Sequence, residues 1–411
     1  MSDKKEDIKE DIKAVKDEGE PTGVMEPLLI GETASRRAGL ADLSLQLAQR
    51  SSGFRRSLPA SLLASLADLV RTMNCYYSNL IEGHATHPID IERALKNDYS
   101  NDAKRRDLQH EATAHIAVQK WIDTGGLTGH PVDADSIREI HRRFCELLPK
   151  DLLLIEEPKT GKKLEMIPGA LRTRGVAVGE HVAISPGAVP RFLARFQDVY
   201  GSLGQADTII ASAAAHHRLV WIHPFLDGNG RVARLMSHAM LLETLDTGAV
   251  WSVARGLARS AADYKGRLAA CDQPRRGDFD GRGNLSEEAL VDFTRFFLQT
   301  CLNQVQFMES LVQPDHLRAR ILTWTEEQIR LGQLPPKSGA ILEAVLYRGE
   351  LPRADASSVV GTGDRQARRI VSALLERNVL TSDSTRATLR LALPAALASR
   401  WMPGLFPDRP D

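Results

Sequence analysis

Apolar residues recur at helical spacing through most of this 411-residue chain, and strand-like alternation is confined to a few short stretches. Between about residues 37 and 123, helix is predicted by Leu40, Leu43, Leu45 and Leu47, and by the leucine- and alanine-rich run Leu58 to Leu69. Ile89, Ile91 and Leu95 behind Pro88, and then His110 to Trp121, extend the same pattern. Ser136 to Leu148 predicts an amphipathic helix with Ile137, Ile140, Phe144 and Leu147 on one face. The period then changes: Arg172 to Gly179 and Glu180 to Ile184 alternate about a glycine, which predicts a β-hairpin. Pro190 to Tyr200, Asp207 to Ile222, Arg231 to Leu245 and Leu285 to Met308 return to helix. The expected fold class is mainly α with one small hairpin.

Punctuation divides this helical chain. Residues 1–22 carry mixed charge and almost no large apolar side chain, so they are expected to be a mobile tail. Residues 23–125 read as an N-terminal helical region, 126–310 as the core and 311–335 as a helical linker. After Pro335-Pro336 come three short helical patterns, Ile341 to Tyr347, Ala354 to Val360 and Asp364 to Arg377, with a turn at Thr362-Gly363 and a wing-like strand at Thr388 to Leu393. That order predicts a winged helix-turn-helix over residues 336–411. Arg365, Arg368 and Arg369 would lie on its recognition helix and Arg386 and Arg390 on its wing, where DNA phosphates are one partner and a protein surface the other.

Bulk charge narrows the partners. With 53 basic and 53 acidic residues the formal net charge is zero, so no global field argues for nucleic acid or membrane. Cys75, Cys145, Cys271 and Cys301 lie far apart, without metal-ligand spacing, and read as buried thiols of a reducing compartment. The amino terminus lacks an apolar signal core, and no run of about 18 apolar residues occurs. A cytoplasmic protein without a membrane partner is expected.

The chemistry concentrates in His223-Pro-Phe-Leu-Asp227-Gly228-Asn229-Gly230-Arg231-Val232-Ala233-Arg234, which joins two apolar helices. Two glycines about an asparagine allow a tight turn with bare N–H groups, opening into a helix N-terminus that favours anions. Arg231 and Arg234 share a helix face and suit a polyphosphate. Asp227 offers a hard oxygen for Mg²⁺, and His223 titrates near neutrality and can take a proton from a hydroxyl. Singly, these are also what a glycine-rich helix start, a capping aspartate and a core histidine provide. Together they specify phosphoryl chemistry.

The segment resembles the signature of the Fic (Fic/Doc) family, HxFx[D/E]GN[G/K]RxxR, at every fixed position, and the resemblance covers about residues 37 to 305. It implies an α-helical catalytic core in which His223 deprotonates a Ser, Thr or Tyr hydroxyl of a target protein. Asp227 would hold Mg²⁺ on the phosphates of ATP, and Gly228, Asn229 and Gly230 would cradle their oxygens. Arg231 would grip the β-phosphate and Arg234 the γ-phosphate, with Val232 and Ala233 counted in the nucleotide site. AMP is then transferred and pyrophosphate released, Gly230 favouring this over kinase chemistry. Self-modification and a homodimer are further implications.

Ser78-Asn-Leu-Ile-Glu82-Gly83 resembles the family's inhibitory motif, [S/T]xxxE[G/N]. Ser78 and Glu82 stand one helical turn apart with Gly83 as a stop, so Glu82 is expected to pair with Arg234 and take the γ-phosphate's place. The hairpin matches the family's target-docking flap, with Val178, Gly179, Glu180 and His181 facing the nucleotide, although Ser185-Pro186-Gly187 departs from the family's usual following prolines. Tyr264 falls where relatives carry an adenine-site tyrosine pair, with core packing as the other reading. Gly277 to Ser286 looks like a calcium loop as text but reads better as an ordered loop and helix cap. Two further activities stay open: removal of AMP from a target, with Glu82 orienting water, and DNA-binding regulation by a core that only senses nucleotide.

Overall fold

The two helices that flank the glycine-rich turn are rich in alanine, leucine, isoleucine and methionine on more than one face, a pattern that belongs at the centre of a fold. They sit there in a computed structural model that describes residues 15–32, 36–84, 86–156, 161 and 163–407. In chain order the helices of the first half are α1 (Arg37–Arg56), α2 (Ala60–Ile81), α3 (Pro88–Ala94), α4 (Ala103–Asp123) and α5 (Ala134–Glu146). Two antiparallel hairpins follow, β1–β2 (Leu154–Glu156, Lys163–Glu165) and β3–β4 (Ala177–Val178, His181–Val182). Next come α6 (Val189–Tyr200), α7 (Gln205–Ile222), α8 (Asn229–Leu245), α9 (Val253–Arg259), α10 (Ala261–Cys271), α11 (Glu287–Leu311) and α12 (Pro314–Arg330). The chain closes with α13 (Ser338–Arg348), β5 (Glu350–Leu351), α14 (Ala356–Val360), α15 (Asp364–Glu376), β6 (Leu380–Thr381), β7 (Leu389–Leu391) and α16 (Ala398–Trp401).

α7 and α8 form the central pair, buried along most of their length. α1 crosses α11 and α7 through Leu40, Leu47 and Phe54, each fully buried and each stabilising by about 1.5–3 kcal/mol. α2 packs on α4 and α9. A polar bolt fixes three of these helices. Asp123 of α4 accepts from Arg71 of α2 at 2.8 Å, and its other oxygen lies 2.6 Å from Nε2 of His238 on α8. The register of α2 and α4 against the central pair therefore rests on one buried carboxylate as well as on apolar packing.

The C-terminal segment has the topology of a winged helix: α13, α14 and α15 with a three-stranded antiparallel sheet in the order β5-β7-β6. It leans on α2. Ser61 donates to the Gly349 carbonyl at 2.6 Å and Ser65 to that of Leu391 at 2.5 Å. Beyond α16, Tyr77 donates to the Leu405 carbonyl at 3.0 Å, and Tyr76 meets Phe406 edge-to-face at 5.6 Å.

The charged N-terminal stretch splits in two. Residues 1–14 lie outside the described residues. Residues 15–22, read from composition as part of a mobile tail, are docked: Asp17 pairs with Arg191, Gly187 N–H donates to the Lys16 carbonyl at 2.9 Å, and Ser185 donates to Glu20 at 2.7 Å. Their partners stand more than 160 positions away, so composition alone could not see them. Met25, Leu28 and Ile30 then enter the core. The four cysteines are free and buried, and among the described residues no helix is long and apolar enough to cross a membrane.

Candidate active site

The glycine-rich turn is held from three directions. Asn229, at the first position of α8, accepts from Phe225 N–H and donates to the Phe225 carbonyl, both at 2.9 Å, closing the loop on itself. Gly228 takes the left-handed conformation at φ +78°, which a side chain would strain. From outside, Arg172 is almost fully buried and spends its guanidinium on carbonyls: His223 at 2.7 Å, Arg174 at 2.9 Å and Ile184 at 2.5 Å. Its own N–H donates to the Pro224 carbonyl at 2.9 Å. One side chain thus ties the base of the β3–β4 hairpin to the turn, and burial among neutral acceptors pulls its pKa down to about 10. Beneath the loop, the His141 ring stacks on Phe225 at 3.9 Å and accepts from Gly169 N–H at 3.0 Å.

His223 ends α7 at φ +51°, a left-handed conformation that costs a non-glycine residue about 1–3 kcal/mol and that its neighbours over-determine. Its Nδ1 lies 3.3 Å from the Val220 carbonyl, which favours the proton there and leaves Nε2 as a base. Burial lowers its pKa to about 4, the Val220 carbonyl opposing and Arg172 adding to the fall. The imidazole is therefore neutral at physiological pH. Asp227 is exposed, and among the described residues its carboxylate has no hydrogen-bond or ion-pair partner.

The other end of the turn is crowded with charge. Arg234 is buried; its Nε donates to Ser78 Oγ at 2.8 Å, and its Nη2 donates to the Ser78 carbonyl at 3.3 Å and to Glu82 Oε1. Burial works against the Glu82 carboxylate, but Arg234 outweighs it and holds the group below the usual carboxylate range. Gly83 stops the helix at φ +86°. Gly230 makes room for the pair: a Cβ there would lie 2.5 Å from Glu82 Oε1. Arg231 donates to Glu111 at 2.6 Å.

Not every residue expected at the site opens onto it. Asn229, Val232 and Ala233 are buried, so only main-chain N–H groups of the first turn of α8 can meet phosphate oxygens, and the Asn229 side chain is consumed by the loop. Tyr264 has no ring face for a base: it is buried, and its hydroxyl is 2.7 Å from His216 Nε2. His216 in turn sits 2.9 Å from Ser237 Oγ, so Tyr264 is tied into a buried polar chain between α7 and α8. Val178 is exposed, with Gly179 and Glu180 at the hairpin tip. His181 turns inward, Nε2 lying 2.8 Å from the Trp221 carbonyl. Asp280 is spent inside its own loop, accepting from Arg276 N–H, Glu288 N–H and Ser286, while Ser286 caps α11.

Four residues gain a place here that the sequence did not signal: Arg172, His141, Glu111 and His84. The contacts that bring them here are far apart in sequence: Arg172 reaches the His223 carbonyl 51 positions on, His141 meets Gly169 N–H 28 positions on, and Glu111 and His84 meet Arg231 across 120 and 147.

Comparisons with known proteins follow the same lines. Residues 131–241 match the model of the Fic/DOC family. Over 169 residues the chain is 30% identical to a protein adenylyltransferase Fic of Drosophila willistoni, covering 41% of this chain and 31% of that protein. Over 222 residues it is 27% identical to the protein adenylyltransferase Fic of Drosophila erecta, covering 51% and 42%. The chain thus spans less than half the length of these curated relatives. A crystal structure of a Fic family protein from Desulfovibrio desulfuricans G20 superposes with a TM-score of 0.51 at 16% identity, covering 89% of this chain and 98% of that one; the two share a fold.

Proposed function

We propose that the chain is a protein adenylyltransferase that moves AMP from ATP to a Ser, Thr or Tyr hydroxyl of a target protein, itself included, and that Glu82 holds this activity in check. The observation that carries the reading is a single clamped turn bearing a neutral imidazole at one end and two buried arginines at the other. His223, unprotonated at Nε2, takes the proton of an incoming hydroxyl. The oxygen attacks the α-phosphorus, the bond to the bridging oxygen breaks, and pyrophosphate leaves. N–H groups at the start of α8 and the two guanidiniums receive the phosphate charge. Mg²⁺ fits this site because it is commonly bound through one or two carboxylates and the substrate's phosphates, and Asp227 presents an unspent carboxylate. When bound it would neutralise charge developing on the phosphates.

Glu82 occupies the inner arginine, so a γ-phosphate must evict it. The test is incubation of wild type and Glu82→Gly with each radiolabelled nucleotide in lysate. Labelling by ATP in the variant, lost when His223→Ala is added, supports the assignment; equal labelling by wild type and variant rejects the inhibitory role. Because Arg234 keeps Glu82 ionised, the same carboxylate is also suited to orient water against an AMP-modified target. A pre-modified substrate separates that activity, which Glu82→Gly would then lose.

A DNA partner is a narrower reading. Among the described residues Arg365, Arg368, Arg369 and Arg386 are exposed without ion partners, whereas Arg390 is paired to Asp383. A salt-dependent mobility shift with duplex DNA, weakened by alanine at the first three, is its test.

A further inference from the structure

We propose that Glu111 is a second occupant of the phosphate seat, holding Arg231 as Glu82 holds Arg234, and that His84 takes Glu111 over when a β-phosphate arrives. This rests on the adenylyltransferase reading and adds to it a residue that governs which nucleotides bind.

The Arg231 guanidinium is incompletely used. Nη2 donates to Glu111 Oε2 at 2.6 Å, and the group lies over the Phe144 ring at 5.1 Å. Nε is buried and has no hydrogen-bond partner among the described residues. A buried N–H left unmade costs about 1–3 kcal/mol, so the fork is set for an acceptor the resting protein does not supply. A phosphate presents several oxygens at once, whereas the single Glu111 oxygen reaches one end of the fork.

Two donors converge on that Glu111 oxygen. His84 Nδ1 stands 2.8 Å from Oε2 and 3.1 Å from Arg231 Nη2. With a proton on Nδ1, His84 donates to Glu111 and turns a like charge toward Arg231. Without it, Nδ1 can accept from Arg231, and Glu111 is left to the arginine alone. The charged groups facing His84 are Glu111 from α4, Arg231 from α8 and, at the end of α2, Glu82. The first raises its pKa most, burial and Arg231 oppose, and Glu82 assists. If Arg231 swings to a phosphate, Glu111 is not stranded as a lone, largely buried charge, because protonated His84 remains beside it. Nucleotide binding through Arg231 therefore takes up a proton at His84, and it weakens as pH rises through that titration.

The two carboxylates make separable demands on the ligand. AMP meets neither arginine, ADP must displace Glu111, and ATP must displace both. Calorimetric titration of the full chain with AMP, ADP and ATP in the presence of Mg²⁺ reads this out. Glu111→Gln should tighten ADP and ATP by about tenfold and leave AMP unchanged. Glu82→Gly should tighten ATP but not ADP. Weaker ADP binding by Glu111→Gln would make Glu111 a positioning residue and overturn the proposal, as would an equal gain for AMP. Should Glu111→Gln fail to fold, wild type titrated with Mg-ADP at neutral pH in two buffers of different ionisation enthalpy still decides. Proton uptake for ADP and none for AMP supports the exchange, and its absence overturns it. If no nucleotide binds to any variant, the adenylyltransferase reading itself falls, which is distinct from binding with the wrong pattern.

Discussion

The two ends of the turn between α7 and α8 are built on opposite principles. At the base end, His223 is fixed by main-chain carbonyls and by Arg172 and carries no charge. At the phosphate end, both arginines are met by carboxylates contributed from the end of α2 and from α4. Under the proposed function the chemistry is assembled in advance while entry is withheld, and activity is switched by moving a plug, without rebuilding the loop.

The comparison breaks most readily at the base end. In the Glu82→Gly background, His223→Ala should lower labelling by about 10²–10⁴-fold with nucleotide binding intact, checked by single-turnover transfer and titration. Loss of binding instead would mean that the histidine shapes the loop more than it moves protons. At the phosphate end, Glu82→Gly should raise initial labelling rates by roughly 10–100-fold, the value of one charge-assisted pair. Ser78→Ala removes one donor-acceptor contact to Arg234 and leaves Glu82 in place, so a gain of only about 2–10-fold is expected. A larger gain than Glu82→Gly would transfer the plug's role to the serine. The smallest effect is expected from pH. Burial keeps His223 unprotonated, so at saturating Mg-ATP, where the His84-linked change in affinity does not show, labelling by Glu82→Gly should stay flat from about pH 8 down to about pH 5 and fall only as pH drops toward about 4. A rate that halves between pH 7 and 6 would show an ordinary imidazole.

Much of this site was legible because its reacting parts are close in sequence. Twelve residues hold the proposed base, the proposed metal ligand and both arginines, and Ser78 and Glu82 meet one guanidinium because they sit one helical turn apart. Glu111 and His84 were not legible: an acid on an amphipathic helix and a histidine in a loop are ordinary until the fold places both on Arg231. Tyr264 shows the reverse failure, since its position along the chain matched an adenine pocket but its ring is buried against His216 of α7 and Phe293 of α11. The order of helices exposed the winged helix, whereas β5 and β6 are two residues each, too short for alternation to show.

The hydrogen bonds from Ser61 and Ser65 to the C-terminal sheet, and from Tyr77 to Leu405, carry a practical warning. They line the same α2 that leads into Glu82, so cutting the chain at residue 335 would strip the support from that helix while removing the wing. A truncated protein that labels itself more strongly would then report a loosened helix and say nothing about DNA. Surface arginine substitutions, which leave that seam intact, are the cleaner way to ask what the C-terminal domain binds.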